Sequence, residues 1–276
     1  MNVKRKKIFS IGLMGVALVT LTACGTSQVT SQSSGLWEKL VYLFAETING
    51  LSLGGNVGLG IILMTLVLRT LLLPVFQYQT KSSQKMQEIQ PALRALQEEY
   101  RGRGREGQEE LARKTQALYA EQGVRPFAAF IPLFVQLPIL LAFYQSLTRV
   151  DILQGAHFLW LDLSQPDPYL ILPFLAAALT FGASWLSTYA LKEKNGLTSS
   201  MTYIMPVMIF FLSLSVASGV ALYWTISNAY QVGQTLFLNN PFKIVAERQR
   251  EEDEAKQKVV AERKAIRKAQ KKRKKK

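Results

Sequence analysis

Five stretches of this chain are apolar enough to demand a bilayer: 58–76, 127–147, 169–191, 201–214 and 219–238. A helix needs about 20 mostly apolar residues to cross the hydrocarbon core. Lipid offers the backbone no hydrogen-bond partner, so such segments have to be helical or closed into a barrel. A barrel would show alternating segments of about ten residues, which is not the pattern here. With 49% of its residues hydrophobic, the chain is predicted to be an all-α, polytopic membrane protein of five transmembrane helices. The fourth stretch is short, and Leu214 to Gly219 predicts a tight turn that pairs it with the fifth as a helical hairpin.

The first residues predict an export signal. Lys4, Arg5, Lys6 and Lys7 precede an apolar core, Ile8 to Thr20, too short for a permanent span. Leu21-Thr22-Ala23-Cys24 follows and resembles a bacterial lipobox. Residues 1–23 would then be removed, leaving Cys24 at the new N-terminus with its lipid. Cys24 is the only cysteine, so no intramolecular disulfide is possible. Residues 24–57 would lie outside the cell: Gly25 to Gly35, rich in Ser, Thr and Gln, predicts a flexible tether, and an amphipathic segment follows it.

Charge orients the spans. Nine Lys and Arg lie between the first and second spans and fifteen after the fifth. The outer connection 148–168 carries only Arg149, whereas the short loop 192–200 carries Lys192 and Lys194. Positive charge falls on alternate connections, which places the N-terminus outside and the C-terminus inside. Within 77–126, Met86, Ile89, Leu93, Leu96 and Tyr100 are spaced 3, 4, 3, 4, the seam of a coiled coil. Arg101 to Gly107 (RGRGREG) predicts a three-glycine break, and Leu111, Leu118 and Tyr119 a returning helix. The expectation is an antiparallel cytoplasmic helical hairpin, with Pro91 kinking its first helix. The tail 239–276 has too few apolar residues for a core. Its basic run, ending Lys271 to Lys276, suits phosphate on anionic lipids or RNA. With no aromatic residue interleaved there, base stacking is not expected.

One charge is out of place. Arg69 is the only Lys, Arg, Asp or Glu in the five spans, and an arginine at a helix centre costs roughly 2.5 to 3.5 kcal/mol. It lies about 10 Å from the cytoplasmic end of its span at helical rise. It either snorkels to that interface or faces a wet concavity between helices. Thr65 shares its face one turn earlier. Gln136 on the second span and Tyr223, Trp224, Asn228 and Gln231 on the fifth are the other polar candidates for lining a concavity, although amides of this kind also serve as plain interhelical braces. Coupled transport ordinarily uses an intramembrane Asp, Glu or His, and the spans contain none. His157, the only histidine, falls in the outer connection as an interfacial residue. No metal cluster, phosphate loop or activated nucleophile is present, so neither an enzyme nor a cofactor is expected.

Several motifs in this order resemble the YidC/Oxa family of membrane protein insertases over about Leu36 to Leu238. The first is Leu66-Val67-Leu68-Arg69-Thr70-Leu71-Leu72-Leu73-Pro74, followed by the charged hairpin. Then come Pro132-Leu133-Phe134-Val135-Gln136-Leu137-Pro138-Ile139, Met205-Pro206, and Gly219 through Asn228 (GVALYWTISN). The lipobox and long basic tail are similar to the Gram-positive form. The resemblance implies a hydrophilic groove in the plasma membrane, open to the cytoplasm, where Arg69 attracts acidic residues of nascent membrane proteins. It also implies a hairpin that recruits clients or signal-recognition machinery, a tail that contacts the ribosome, and work beside the Sec translocon; DNA is not an expected partner. The third span offers Ser184, Trp185, Ser187 and Thr188 where an amide was expected. Two other readings remain open at this point: an uncoupled channel for an anionic solute, and a lipid-anchored scaffold acting through its hairpin.

Overall fold

The first apolar stretch is not one straight helix. In the computed structural model, which describes residues 27–125, 131–191 and 196–273, helix α1 (Leu36–Gly50) is followed by α2 (Val57–Leu71) and α3 (Leu73–Glu88). The axes of α2 and α3 differ by 57°. Pro74 accounts for the break: it sits in the first turn of α3, where its missing N–H costs nothing, whereas inside a continuous helix it would lose a bond and clash with the preceding turn. The expected span 58–76 is corrected accordingly. Arg69 stands in the last turn of α2, where the partial negative charge of a helix C-terminus favours a cation.

The chain continues as α4 (Gln90–Glu99) and α5 (Gly104–Glu121). Ile89, Leu93 and Val124 form a small buried core, with Met86, Leu118 and Tyr119 packed against it. Pro91 does not kink a continuing helix; it occupies the first turn of a new one. The glycines divide as well. Gly102 and Gly104 turn the chain with φ of 77° and 67°, which only glycine adopts cheaply. Gly107 lies inside α5, buried against Arg103.

Helices α6 (Ile131–Arg149), α7 (Ile171–Tyr189), α8 (Gly196–Ser213) and α9 (Ser218–Leu238) follow. Among the described residues α7 by itself is long and apolar enough to cross a membrane. The bent α2–α3 pair passes the same test if taken as one span, and α8 offers a shorter apolar run, Ser199–Ser213. Residues 127–130 of the second apolar stretch, Lys192 and Lys194, and the leader with Cys24 lie outside the described residues.

The main core sits towards one end of these helices. Val41, Phe44 and Ile48 of α1 meet Ile61 and Met64 of α2, Phe143 and Leu147 of α6, and Val220 to Tyr223 of α9. The 148–168 connection closes this end. It contains a two-stranded hairpin, β1 (His157–Phe158) with β2 (Leu161–Asp162), a small departure from an all-α fold. Phe158 packs directly on Gly58, where any side chain would collide with its ring. Carbonyls of the same connection satisfy the free N–H groups at the start of α9: Ser218 N donates to Gln165 O at 2.7 Å and Gly219 N to Leu163 O at 3.0 Å.

The N-terminal tether is corrected too. Arg149, 7% exposed, donates through Nε to Ser27 O at 2.9 Å and through Nη1 to Gln145 Oε1. Val29 is buried, and its N–H donates to Arg149 O at 2.8 Å. Composition alone suggested flexibility; the cation 122 residues away pins the strap.

The tail forms one helix, α10 (Pro241–Arg273). Pairs such as Arg250–Glu254 (3.7 Å) and Lys256–Asp253 (3.5 Å) support it at helical spacing. From Glu251 to Ile266 every residue is exposed, so the helix adds no core there.

Candidate functional site

A polar cavity of about 900 Å³ opens where α3, α7, α9 and the first turns of α10 converge. Helical periodicity explains its chemistry. Gln79, Ser83 and Gln87 recur every four residues along α3, with Thr80 and Gln84 beside them, and on α9 Gln231, Gln234 and Thr235 share a face. The stripes are uncharged and amide-rich, so they offer donors and acceptors together. Leu186, Ala190 and Leu191 supply an apolar wall.

Arg69 lines this cavity from the last turn of α2. Its guanidinium lies 5.1 Å from the Phe76 ring centroid, a distance at which the ring face attracts a cation. Its Nε is buried with no hydrogen-bond partner among the described residues. A buried donor left unsatisfied costs about 1–3 kcal/mol, so the arginine holds unspent bonding capacity. Two carboxylates, Glu88 and Glu251, and one further cation, Arg248, also line the cavity. All three come from outside the apolar stretches, and no ion pair joins either acid to Arg69 among the described residues.

Of the seven groove candidates, Arg69 and Gln231 share the cavity, and Thr65, Gln136, Tyr223, Trp224 and Asn228 are not among its lining residues. Thr65 is 1% exposed, and its hydroxyl donates to its own helix at Ile61 O, 2.7 Å away. Gln136 Nε2 donates to Tyr223 Oη at 2.6 Å, bracing α6 to α9. Asn228 Nδ2 donates to Thr180 Oγ1 at 2.9 Å, bracing α9 to α7. Trp224 is half-buried against the main core. On α7, Ser187 reaches the cavity, while the Thr188 hydroxyl pairs with that of Thr202 at 2.9 Å and Trp185 packs on Tyr189. Cys24 lies outside the described residues.

The α3 residues escaped sequence reasoning because 77–126 was assigned wholly to the cytoplasmic hairpin. The signal was present: Gln79, Ser83 and Gln87 form an uncharged polar row continuing directly from the apolar stretch. Among the described residues no group of three His, Cys, Asp or Glu could hold a metal ion.

Residues 49–247 match the family model described as the 60Kd inner membrane protein. A Streptococcus pyogenes serotype M1 protein named membrane protein insertase YidC 1 is 51% identical over 266 residues, covering 96% of this chain and 97% of its own. The Lactococcus lactis protein of the same name is 48% identical over 268 residues, covering 97% of this chain and all (100%) of its own. The Enterococcus faecalis membrane protein insertase YidC is 49% identical over 254 residues, 92% of each chain. Among solved structures, an active YidC insertase with its first transmembrane domain resolved superposes with a TM-score of 0.57 at 28% identity. That match takes in 74% of this chain but 47% of the longer one, so this chain spans less than half of the solved protein. Model match, identity and fold agree: the chain belongs to the YidC/Oxa family, that of the 60Kd inner membrane protein.

Proposed function

We propose that the protein inserts nascent membrane proteins into the plasma membrane and helps them fold, without a cofactor and without catalysis. The observation that carries this reading is Arg69: a cation whose buried Nε has no partner among the described residues, facing a polar cavity whose acids, Glu88 and Glu251, form no ion pair with it there. Opposite the cavity, the packed core and the folded 148–168 connection support closure towards the outside. A polar client tail with acidic residues would partition into the cavity and approach Arg69 while its apolar helix enters lipid along the protein's flank. One favourable step carries the other. Polar walls shorten the apolar barrier for the tail, and transfer of the client helix to hydrocarbon drives the rest.

In this reading five helices cross the membrane, N-terminus out and C-terminus in, and the charge asymmetry of the connections supports that orientation. Cys24 would carry the lipid anchor of a Gram-positive-type lipoprotein. The α4–α5 hairpin would receive clients or signal-recognition machinery, and the basic end of α10 would engage the ribosome and anionic lipid. Work beside the Sec translocon fits the same arrangement.

Insertion into vesicles holding the purified protein tests the reading. Arg69→Ala is expected to reduce insertion of clients with acidic tails by about tenfold or more, on the scale of a charge-assisted hydrogen bond of about 1.5–3 kcal/mol. Arg69→Lys should retain most of it, and clients with neutral tails should be affected little. Normal insertion of acidic-tailed clients by Arg69→Ala would overturn the mechanism.

A further inference from the structure

The cavity has a wall that the apolar stretches do not supply. Pro241, Ile244, Arg248 and Glu251 of α10 line it together with Arg69, so the first turns of the tail helix lie across the region through which a polypeptide from the cytoplasm would enter. Three features set this segment apart from a continuation of α9. First, α9 ends at Leu238, and Asn239 takes a non-helical conformation with φ of −134° and ψ of 53°. Second, Asn240 starts α10 with a cap of its own: its Oδ1 accepts from the N–H groups of Phe242 at 3.0 Å and Lys243 at 3.2 Å. A helix capped at its own start can swing as a rigid body about a two-residue link.

Third, the segment is held down by a short latch. The Phe242 ring lies 5.2 Å from Tyr189 and 6.3 Å from Trp185. Arg248 Nη2 donates to Ala190 O at 3.0 Å, a carbonyl at the C-terminal cap of α7. Beyond Glu251 the residues are exposed as far as Ile266. The latch is therefore confined to about three turns at the base of a helix that runs on for 22 residues to Arg273, about 33 Å at helical rise. Hinged at its base, a lever of that length multiplies at the latch any force applied to its far end.

We infer that the first three turns of α10 are a lid on the Arg69 cavity, hinged at Asn239–Asn240 and latched by Phe242 and Arg248, and that a client tail reaches Arg69 only when the latch is open. The inference rests on reading the cavity as the client site, but the first arm of its test, thiol access, does not need a client.

In a Cys24→Ser background, a single thiol placed in the cavity wall, Ser83→Cys, reports access from the cytoplasmic side through its reaction with a bulky charged maleimide, using the full chain in lipid nanodiscs. Adding Arg248→Ala or Phe242→Ala is expected to speed that reaction severalfold, whereas Arg248→Lys, which keeps one donor for Ala190 O, should leave it close to the parent rate. Ser146→Cys, buried in the main core, is the control and should stay unreactive in every background. Equal rates at Ser83→Cys with and without the latch overturn the lid, as does a rise at both thiols, which would mean general loosening. The opposite arm holds the latch shut by joining Tyr189→Cys to Phe242→Cys with a short cleavable bifunctional thiol reagent. Insertion should fall severalfold and recover on cleavage; a linked protein that inserts at the unlinked rate overturns the lid. Loss of the Arg69 effect on insertion would instead count against the client site itself, so the two failures are distinguishable.

Discussion

Gln136 and Tyr223 meet side chain to side chain at 2.6 Å, the amide donating to the phenol. The contact ties α6 to α9 just inside the main core, where Tyr223 is 3% exposed and its ring stacks on Phe143 at 5.0 Å. Two residues picked out as groove polar groups thus satisfy one another.

The first prediction follows from that pairing. Tyr223→Phe keeps the stacking and removes the acceptor of the Gln136 amide. Interhelical hydrogen bonds of this kind contribute about 0.6 kcal/mol on average, with a ceiling near 1.7. A loss of that size should appear in unfolding of the protein in nanodiscs, while insertion of acidic-tailed clients stays near the parent level. A large loss of insertion at unchanged stability would return Tyr223 to the client site.

Gly60 sets the approach of α1 to α2. A methyl group there would lie 2.3 Å from Ile48 O and 2.5 Å from Ser52 Oγ, and the carbonyl is backbone that cannot step aside. Gly60→Ala should therefore destabilise the protein despite alanine's better helix propensity, by about 1–3 kcal/mol as for other overpacked sites. The melting temperature measures it; an unchanged or raised value refutes the close approach.

Arg69 was legible in the sequence because a single charge in an apolar stretch has no cheap explanation. Its depth was not, because hydropathy runs smoothly through Leu71, Leu72 and Leu73 while the backbone breaks at Pro74 and turns by 57°. Proline was visible, but whether it would end a helix or kink it depends on what the two halves pack against. Helix positions in the apolar stretches were readable for the same reason that their partners were not: periodicity and composition are local, whereas the bonds of Asn228 to Thr180 and of Arg149 to Ser27 cross 48 and 122 residues. The α10 wall of the cavity was illegible on similar grounds. A segment too polar to build a core can still close one, provided that other helices supply the surface.

The third prediction concerns Arg149, which holds the N-terminal strap in two directions, through Nε to Ser27 O and Nη1 to Gln145 Oε1. The Gln145 oxygen also accepts from Trp37 Nε1 at 3.0 Å, which brings α1 into the same knot. Arg149→Lys supplies a point charge that cannot span both acceptors. Both Arg149→Lys and Arg149→Ala should free residues 27–30, seen as faster proteolytic cleavage in that segment. Cleavage at the parent rate in Arg149→Ala would refute the docked strap.

The last prediction concerns Asp167, the buried acid of the 148–168 connection, 3% exposed. Its Oδ1 accepts from Trp160 Nε1 and from Tyr169 N, each at 3.0 Å, and its Oδ2 from Leu172 N at 2.8 Å. The last of these satisfies a free N–H in the first turn of α7, where a helix start favours negative charge. One carboxylate therefore sets the entry of α7, anchors Trp160 in the β1–β2 turn and balances Leu170, whose φ of 59° is unusual for leucine. Asp167→Ala strands three donors and should cost more than one ordinary hydrogen bond, about 2–3 kcal/mol. Asp167→Asn keeps two acceptor positions at most and should fall in between. Because the connection caps the core without touching the Arg69 cavity, both variants should lower the unfolding temperature and raise hydrogen exchange in 157–172 before they affect insertion at low temperature. Loss of insertion at full thermal stability would mean that this connection contacts the client, and that the end of the core it covers is part of the insertion route.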